Sequence, residues 1–211
     1  MNVKLIKKAV VLSIAVCGFV AHTNAQGIAL KRYGVKAGVQ VSTIKENTDR
    51  DSFTDLEIVS AVGYQIGGFA TFDLPGKFSL QPELFLSAQG FTERSPEILL
   101  GNGDITEGYK HKYKVRYIKV PLLLRYDLID RLSAEVGPQF GFFVSSNIDD
   151  VDWDIFKKFD IAGAVGLEYL LRDELGVQFR YAHSFASKSF EDYLWDSRKS
   201  RVFSLGLTYS F

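Results

Sequence analysis

The sequence predicts an all-β chain: an eight-stranded, antiparallel, up-and-down transmembrane β-barrel. Three observations predict it. Apolar and polar residues alternate with period two in eight separate stretches. The breaks between those stretches are short and long in turn. The chain closes on Phe203-Ser-Leu-Gly-Leu-Thr-Tyr-Ser-Phe211, in which Phe203, Leu205, Leu207, Tyr209 and Phe211 share one face and nothing follows to cover it. Period two puts successive side chains on opposite faces of a strand.

The stretches run in order. Residues 33–43 set Val35, Ala37, Val39 and Val41 against Lys36, Gly38, Gln40 and Ser42. Residues 61–73 set Val62, Tyr64, Ile66, Ala70 and Phe72 against Gln65, Gly67 and Thr71. Residues 77–90 set Phe78, Leu80, Leu84 and Leu86 against Ser79, Gln81, Glu83, Ser87 and Gln89. Residues 112–127 oppose Ile118, Val120, Leu122, Leu124 and Tyr126 to Lys119 and Arg125. In 131–145, Leu132, Val136, Phe140 and Phe142 oppose Ser133, Glu135, Gln139 and Gly141. In 159–170, Ile161, Val165, Leu167 and Tyr169 oppose Asp160, Ala164, Gly166 and Glu168. In 174–185, Leu175, Val177, Phe179 and Tyr181 oppose Gly176, Gln178, Arg180 and Ser184, and the terminal stretch is the eighth. Each is near or above the ~9–11 residues that a tilted membrane strand requires.

Tight turns around Leu74-Pro-Gly76, Leu128-Ile-Asp130 and Leu171-Arg-Asp173 alternate with long polar segments at about 44–60, 91–111, 146–158 and 186–200. Such alternation puts both termini on the rim of short turns. In outer-membrane barrels that rim faces the periplasm and the long loops face outward. Pro82, Pro121 and Pro138 fall inside strands, where a residue without an N–H breaks the ladder, and are expected at bulges or kinks.

The face pattern separates this barrel from a soluble one with a ligand inside. Its polar face is mostly Gly, Ala, Ser and Gln with a few charges, which suits a crowded lumen. The apolar face carries aromatics near both ends, Tyr33, Phe72, Phe78, Tyr126, Tyr169 and Phe211 at one and Phe142, Phe159, Tyr181 and Phe203 at the other, as in interfacial girdles. The lumen then holds Lys36, Lys119, Arg125 and Arg180 with Glu83, Glu135 and Glu168. Charges in a narrow interior need partners. A paired network joined by Gln40, Gln65, Gln81, Gln139 and Gln178 is expected to plug the barrel.

The first 25 residues have the layout of an export signal. Lys4, Lys7 and Lys8 precede an apolar run of about 12 residues, 9–20, and Thr23 and Ala25 stand at −3 and −1 before Gln26. A cleaved signal peptide over 1–25 and a barrel domain over 26–211 are therefore expected. The single cysteine, Cys17, leaves with the signal, so a mature chain has no thiol, disulfide or Cys-bound metal. The 25 basic and 25 acidic residues give no excess to meet nucleic-acid phosphates.

The closing strand resembles the C-terminal assembly signal of outer-membrane barrels, a terminal aromatic with apolar residues at every second position before it. Its match over Phe203, Leu205, Leu207, Tyr209 and Phe211 implies handling by the barrel assembly machinery. Tyr117-Ile-Lys-Val-Pro-Leu-Leu-Leu-Arg-Tyr126, Gly137-Pro-Gln-Phe-Gly141, Gly166-Leu-Glu-Tyr169 and Gly206-Leu-Thr-Tyr-Ser-Phe211 resemble the PorT-like outer-membrane β-barrel domain of Bacteroidota. The early Tyr33-Gly-Val-Lys-Ala-Gly-Val39 fits its first strand. These are barrel motifs without catalytic residues, and the resemblance implies the fold and an outer-membrane location.

Few residues invite chemistry. His183 and Ser184, with Glu191 further on, resemble parts of a lipid A deacylase, but adjacent strand residues face opposite ways and Phe185 stands where that pattern has a serine. The acidic stretch Asp149-Asp-Val-Asp-Trp-Asp154 lacks the Gly and spaced Glu of a calcium loop. Leu99-Leu-Gly-Asn-Gly-Asp104 has turn residues but no phosphate-loop context. Trp153 and Trp195 fall in long loops. No catalytic, cofactor or metal site is expected. The reading is a non-enzymatic barrel acting structurally or through its outer loops on lipopolysaccharide, a ligand or a protein partner. A small-solute porin is the alternative, and a lipid A-modifying enzyme a third class.

Overall fold

A computed structural model describes residues 29–45, 57–94, 98–99, 105–106, 110–146, 159–185 and 199–211. Residues 1–25, expected to be an export signal, lie outside the described residues, as do the acidic stretch 149–154, residues 100–104, Trp153, Trp195 and Glu191.

The alternating stretches form the barrel strands β1 (Leu30–Lys45), β2 (Glu57–Asp73), β3 (Phe78–Arg94), β6 (Lys110–Ile129), β7 (Leu132–Ser146), β8 (Phe159–Leu170), β9 (Leu175–Ser184) and β10 (Lys199–Ser210). Two-residue strands β4 (Ile98–Leu99) and β5 (Ile105–Thr106) pair with each other in the connection between β3 and β6. The eight strands close in the order β1-β10-β9-β8-β7-β6-β3-β2, every neighbouring pair antiparallel. This is the predicted up-and-down barrel, and closure leaves the barrel sheet without a free edge.

Following paired residues around the wall gives the stagger. The circuit Leu30, Phe72, Leu80, Leu124, Val136, Val165, Tyr181, Phe203 rejoins β1 at Val41, eleven residues on. One of those is the bulge between Leu30 and Arg32, so the stagger is ten. With ~3.3 Å per residue and ~4.8 Å between strands, a stagger of ten tilts eight strands by about 40°. That tilt leaves an interior just wide enough for side chains to fill.

Side chains sort as the alternation requires. Val62 is 76% exposed on the outer wall, while Gln81 and Leu123 are 0% exposed inside. Two aromatic zones mark the outer surface. Tyr33 with Phe211 (5.8 Å between centroids) and Phe78 with Tyr126 (4.9 Å) stand near the short-turn rim. Tyr181 with Phe203 (4.8 Å) and Phe142 with Phe159 (5.3 Å) stand towards the other.

The short turns are built from local chemistry. Gly76 takes φ 81°, open to glycine at no steric cost, and lets β2 reverse into β3 after Pro75. At the same rim Lys31 bridges Asp73 (3.3 Å) and Asp127 (3.1 Å), and Ser133 Oγ donates to Asp127 (2.8 Å).

The prolines do not mark bulges, which corrects the expectation from sequence. Register shifts fall between Leu30 and Arg32, Ser60 and Tyr64, Arg116 and Tyr117, and Asp127 and Ile129. Across the prolines the frame is kept: Pro82 pairs with Leu122 and Phe85 with Lys119, Pro121 with Gln139, Pro138 with Gly163. A proline removes one donor, but strands held on both sides stay in register through their remaining bonds.

Candidate functional site: a charged network across the lumen

Six of the seven charges assigned to the lumen meet in one network, and Arg32 joins them. Its centre is Glu83 on β3, in the wall opposite β9. Glu83 Oε1 accepts from Lys36 Nζ (2.5 Å) and Arg180 Nη2 (2.8 Å), and Oε2 accepts from Arg180 Nη1 (2.7 Å). The two parallel bonds to Arg180 are the fork geometry that a guanidinium offers a carboxylate. Arg180 also donates from Nε and Nη2 to Glu135 Oε1, both at 2.8 Å, and Gln178 Nε2 adds a third donor at 2.5 Å.

A second cluster lies towards the short-turn rim. Glu168 Oε2 accepts from both Arg125 Nη1 and Arg32 Nη2, and Oε1 accepts from Thr208 Oγ1 (2.6 Å). Gln81 joins the two clusters. Its Nε2 donates to Glu83 Oε1 (2.7 Å), while its Oε1 accepts from Arg125 Nη1 (2.7 Å) and Thr71 Oγ1 (2.9 Å). The contacts therefore run from wall to wall, through all eight barrel strands, and Lys36, Glu83, Glu135, Glu168 and Arg180 are all buried.

Lys119 stands apart, nearer the long-connection end. Its Nζ lies 5.8 Å over the Tyr117 ring, with the Asp160 carboxylate as its nearby opposite charge. Of the five glutamines assigned to the lumen, Gln81 and Gln178 enter the network. Gln40 Nε2 instead donates to Ser87 Oγ (2.8 Å) and Ala88 O (2.7 Å). Gln139 is buried, and Gln65 Nε2 and Glu135 Oε2 are buried without a hydrogen-bond partner among the described residues.

Lumen groups absent from the alternation as read along the chain include Leu123, Phe69, Phe85 and Arg32. Phe69 (6% exposed) and Phe85 (5%) face inward, and the Phe69 ring carries Arg32 and Lys36 at 5.3 and 5.4 Å. Parity was the available signal, since Phe69 shares its face with Gln65, Gly67 and Thr71. Arg32 shares parity with Lys36 but lies before residue 33, where the clean alternation begins.

His183 and Ser184 are split across the wall. His183 faces outward and stacks on Tyr181 (6.3 Å), whereas Ser184 faces inward and donates to Asp160. No nucleophile–base contact joins them. Among the described residues no group of three His, Cys, Asp or Glu is placed to hold a metal.

The terminal strand seals the barrel. β10 pairs with β1 from Gly34↔Ser210 to Lys45↔Lys199, and Phe211 N donates to Tyr33 O (2.9 Å). Leu205, Leu207, Tyr209 and Phe211 all point outward.

The family model of the outer membrane protein beta-barrel domain matches residues 24–189. The chain belongs to that family. Its location is accordingly the outer membrane, where a closed antiparallel barrel with an apolar outer wall can reside. Among solved structures, neisserial surface protein A is 12% identical with a TM-score of 0.50, covering 88% of this chain and 100% of the other. Ail of Yersinia pestis is 13% identical (TM-score 0.46, 85% and 98% covered). OprG of Pseudomonas aeruginosa is 17% identical (TM-score 0.41, 88% and 96% covered). At these identities the likeness is one of fold. No curated protein matches the chain.

Proposed function

We propose that this protein is a PorT-like, non-enzymatic barrel whose lumen is closed by its own side chains and whose work is done by its outer surface and long connections. Lipopolysaccharide, a ligand or a partner protein meets it there. The first 25 residues act as a cleaved export signal. The assembly machinery reads Phe203, Leu205, Leu207, Tyr209 and Phe211. The observation that carries the proposal is the network through Glu83, Arg180, Glu135, Gln81, Arg125 and Glu168, which crosses a lumen of eight-strand width.

Single-channel recording of the refolded chain in planar bilayers tests it, with heat-modifiable gel mobility as the folding control. A folded barrel without current steps is expected. Reproducible steps in the unaltered protein would overturn the closed-lumen reading in favour of a small-solute pore. Arg125→Ala and Glu135→Ala each remove side-chain volume and a tie across the lumen, so steps are expected from the variants. Unchanged silence in both would count against the network as the plug.

Removal of Phe211 separates assembly from folding. The truncated chain is expected to refold in detergent nearly as the full chain does, since it loses one seam bond of a long ladder. In cells its folded amount in the outer membrane should fall by roughly tenfold, the scale of ~1.4 kcal/mol in recognition. Equal cellular amounts would refute the signal reading.

A further inference from the structure

The outer wall changes character in one step on one side of the barrel. Across β9, β10, β1 and β2, Tyr181 pairs with Phe203, Phe203 with Val41 and Val41 with Val62, an apolar row. The outward row beyond it, towards the long-connection end, begins with His183 paired to Arg201 and Arg201 paired to Thr43. Thr43 Oγ1 then meets Ser60 Oγ at 2.6 Å. The row on the other side of the apolar one is Phe179, Leu205, Val39 and Tyr64. So an arginine, an imidazole and two hydroxyls sit directly above an aromatic and aliphatic wall.

The height of this level fits the boundary where hydrocarbon gives way to headgroups. The outward run from Tyr33 to Val41 on β1 covers about 26 Å of strand at ~3.3 Å per residue, or roughly 20 Å of height at ~40° tilt, near the ~25 Å apolar band of such barrels. Arg201 Nε is buried and has no hydrogen-bond acceptor among the described residues. A guanidinium at a lipid boundary needs acceptors, and its long stem lets the charged head reach the interface.

Resting on the reading that the outer surface does the work, we infer that His183 and Arg201 hold the phosphate of a lipid in the leaflet on the long-connection side, with its acyl chains against Tyr181 and Phe203. The apolar wall chooses the source of the phosphate. Free phosphate would use only the polar groups. A phosphorylated lipid also covers the Tyr181–Phe203 pair and the Phe185 ring, which lies edge-on to His183 at 5.8 Å and is 63% exposed.

The test is native mass spectrometry of the refolded full chain released from phosphatidylcholine bilayers that contain equal amounts of phosphorylated lipid A and its phosphate-free counterpart. The unaltered protein should retain the phosphorylated lipid about fivefold or more over the other, since a surface cation contributes ~1 kcal/mol toward an anionic headgroup. H183Q with R201Q should abolish that preference. R116Q, at an exposed position of β6 away from the patch, should leave it intact. Equal retention of the two lipids, or a preference that survives H183Q/R201Q, overturns the assignment. Competition by millimolar inorganic phosphate would overturn the lipid as the source. Current recordings on the same variants keep the two readings apart: a silent H183Q/R201Q barrel with lost preference supports both, and steps in the unaltered chain would sink only the closed lumen.

Discussion

Glu83→Ala is expected to cost about 3–5 kcal/mol of folding stability, the range for removing one partner of a buried ion pair. The carboxylate is the shared acceptor of Lys36, Arg180 and Gln81. Without it Lys36 loses its direct ion pair, and Arg180 keeps only Glu135. Two buried cations then face each other in a lumen lined by buried side chains. Urea unfolding of the barrel in lipid vesicles, followed by gel mobility and circular dichroism, measures the loss. Replacing both Lys36 and Glu83 by Met and Leu should recover part of it, because Lys36 no longer stands unpaired while Arg180 still lacks its second carboxylate. A Glu83→Ala barrel within about 1 kcal/mol of the parent would show that the network fills space without holding the wall together.

Gly34→Val is expected to prevent closure. Gly34 faces the lumen in β1 opposite Ser210, at the seam of the first and last strands. A Cβ placed there lies 1.9 Å from Tyr209 O, 2.8 Å from Tyr209 C and 2.9 Å from Ser210 Cα. All three are backbone atoms, so no side-chain rotation relieves the overlap. Overpacking usually costs ~1–3 kcal/mol, and a clash with paired backbone belongs at or beyond the top of that range. The folded, heat-modifiable band should fall steeply, while Gly68→Ala, whose Cβ would meet a single atom, Gly34 O at 3.3 Å, should lose much less. Normal folding of Gly34→Val would mean that the seam can move apart without loss.

Much of the fold could be read in the chain because side-chain parity is local. A period of two assigns each residue to a face from its immediate neighbours, so Lys36, Glu83, Arg125, Glu135, Glu168 and Arg180 could be placed inside before any pairing was known. The strand ends were less legible. β1 extends to Lys45 and β2 begins at Glu57, beyond the clean alternation, because ladder pairing uses backbone groups and tolerates polar side chains outside the hydrocarbon. Phe69 and Phe85 were missed for a different reason. Assigning aromatics to the apolar wall overlooks that a large ring also fills a narrow interior and gives Arg32 and Lys36 a face to lie on.

The sequence by itself determined the number of barrel strands, the up-and-down order, the closing strand and the two faces, since each follows from spacing between neighbours. Only the tertiary structure decided who meets whom in the lumen. Glu83 and Arg180 lie 97 residues apart, and Arg125 and Glu168 lie 43 apart. Their meeting depends on the stagger of ten and the tilt it imposes, which set the height of every inward side chain. Stagger is a property of the closed circuit, fixed when β10 meets β1, and no single strand carries it.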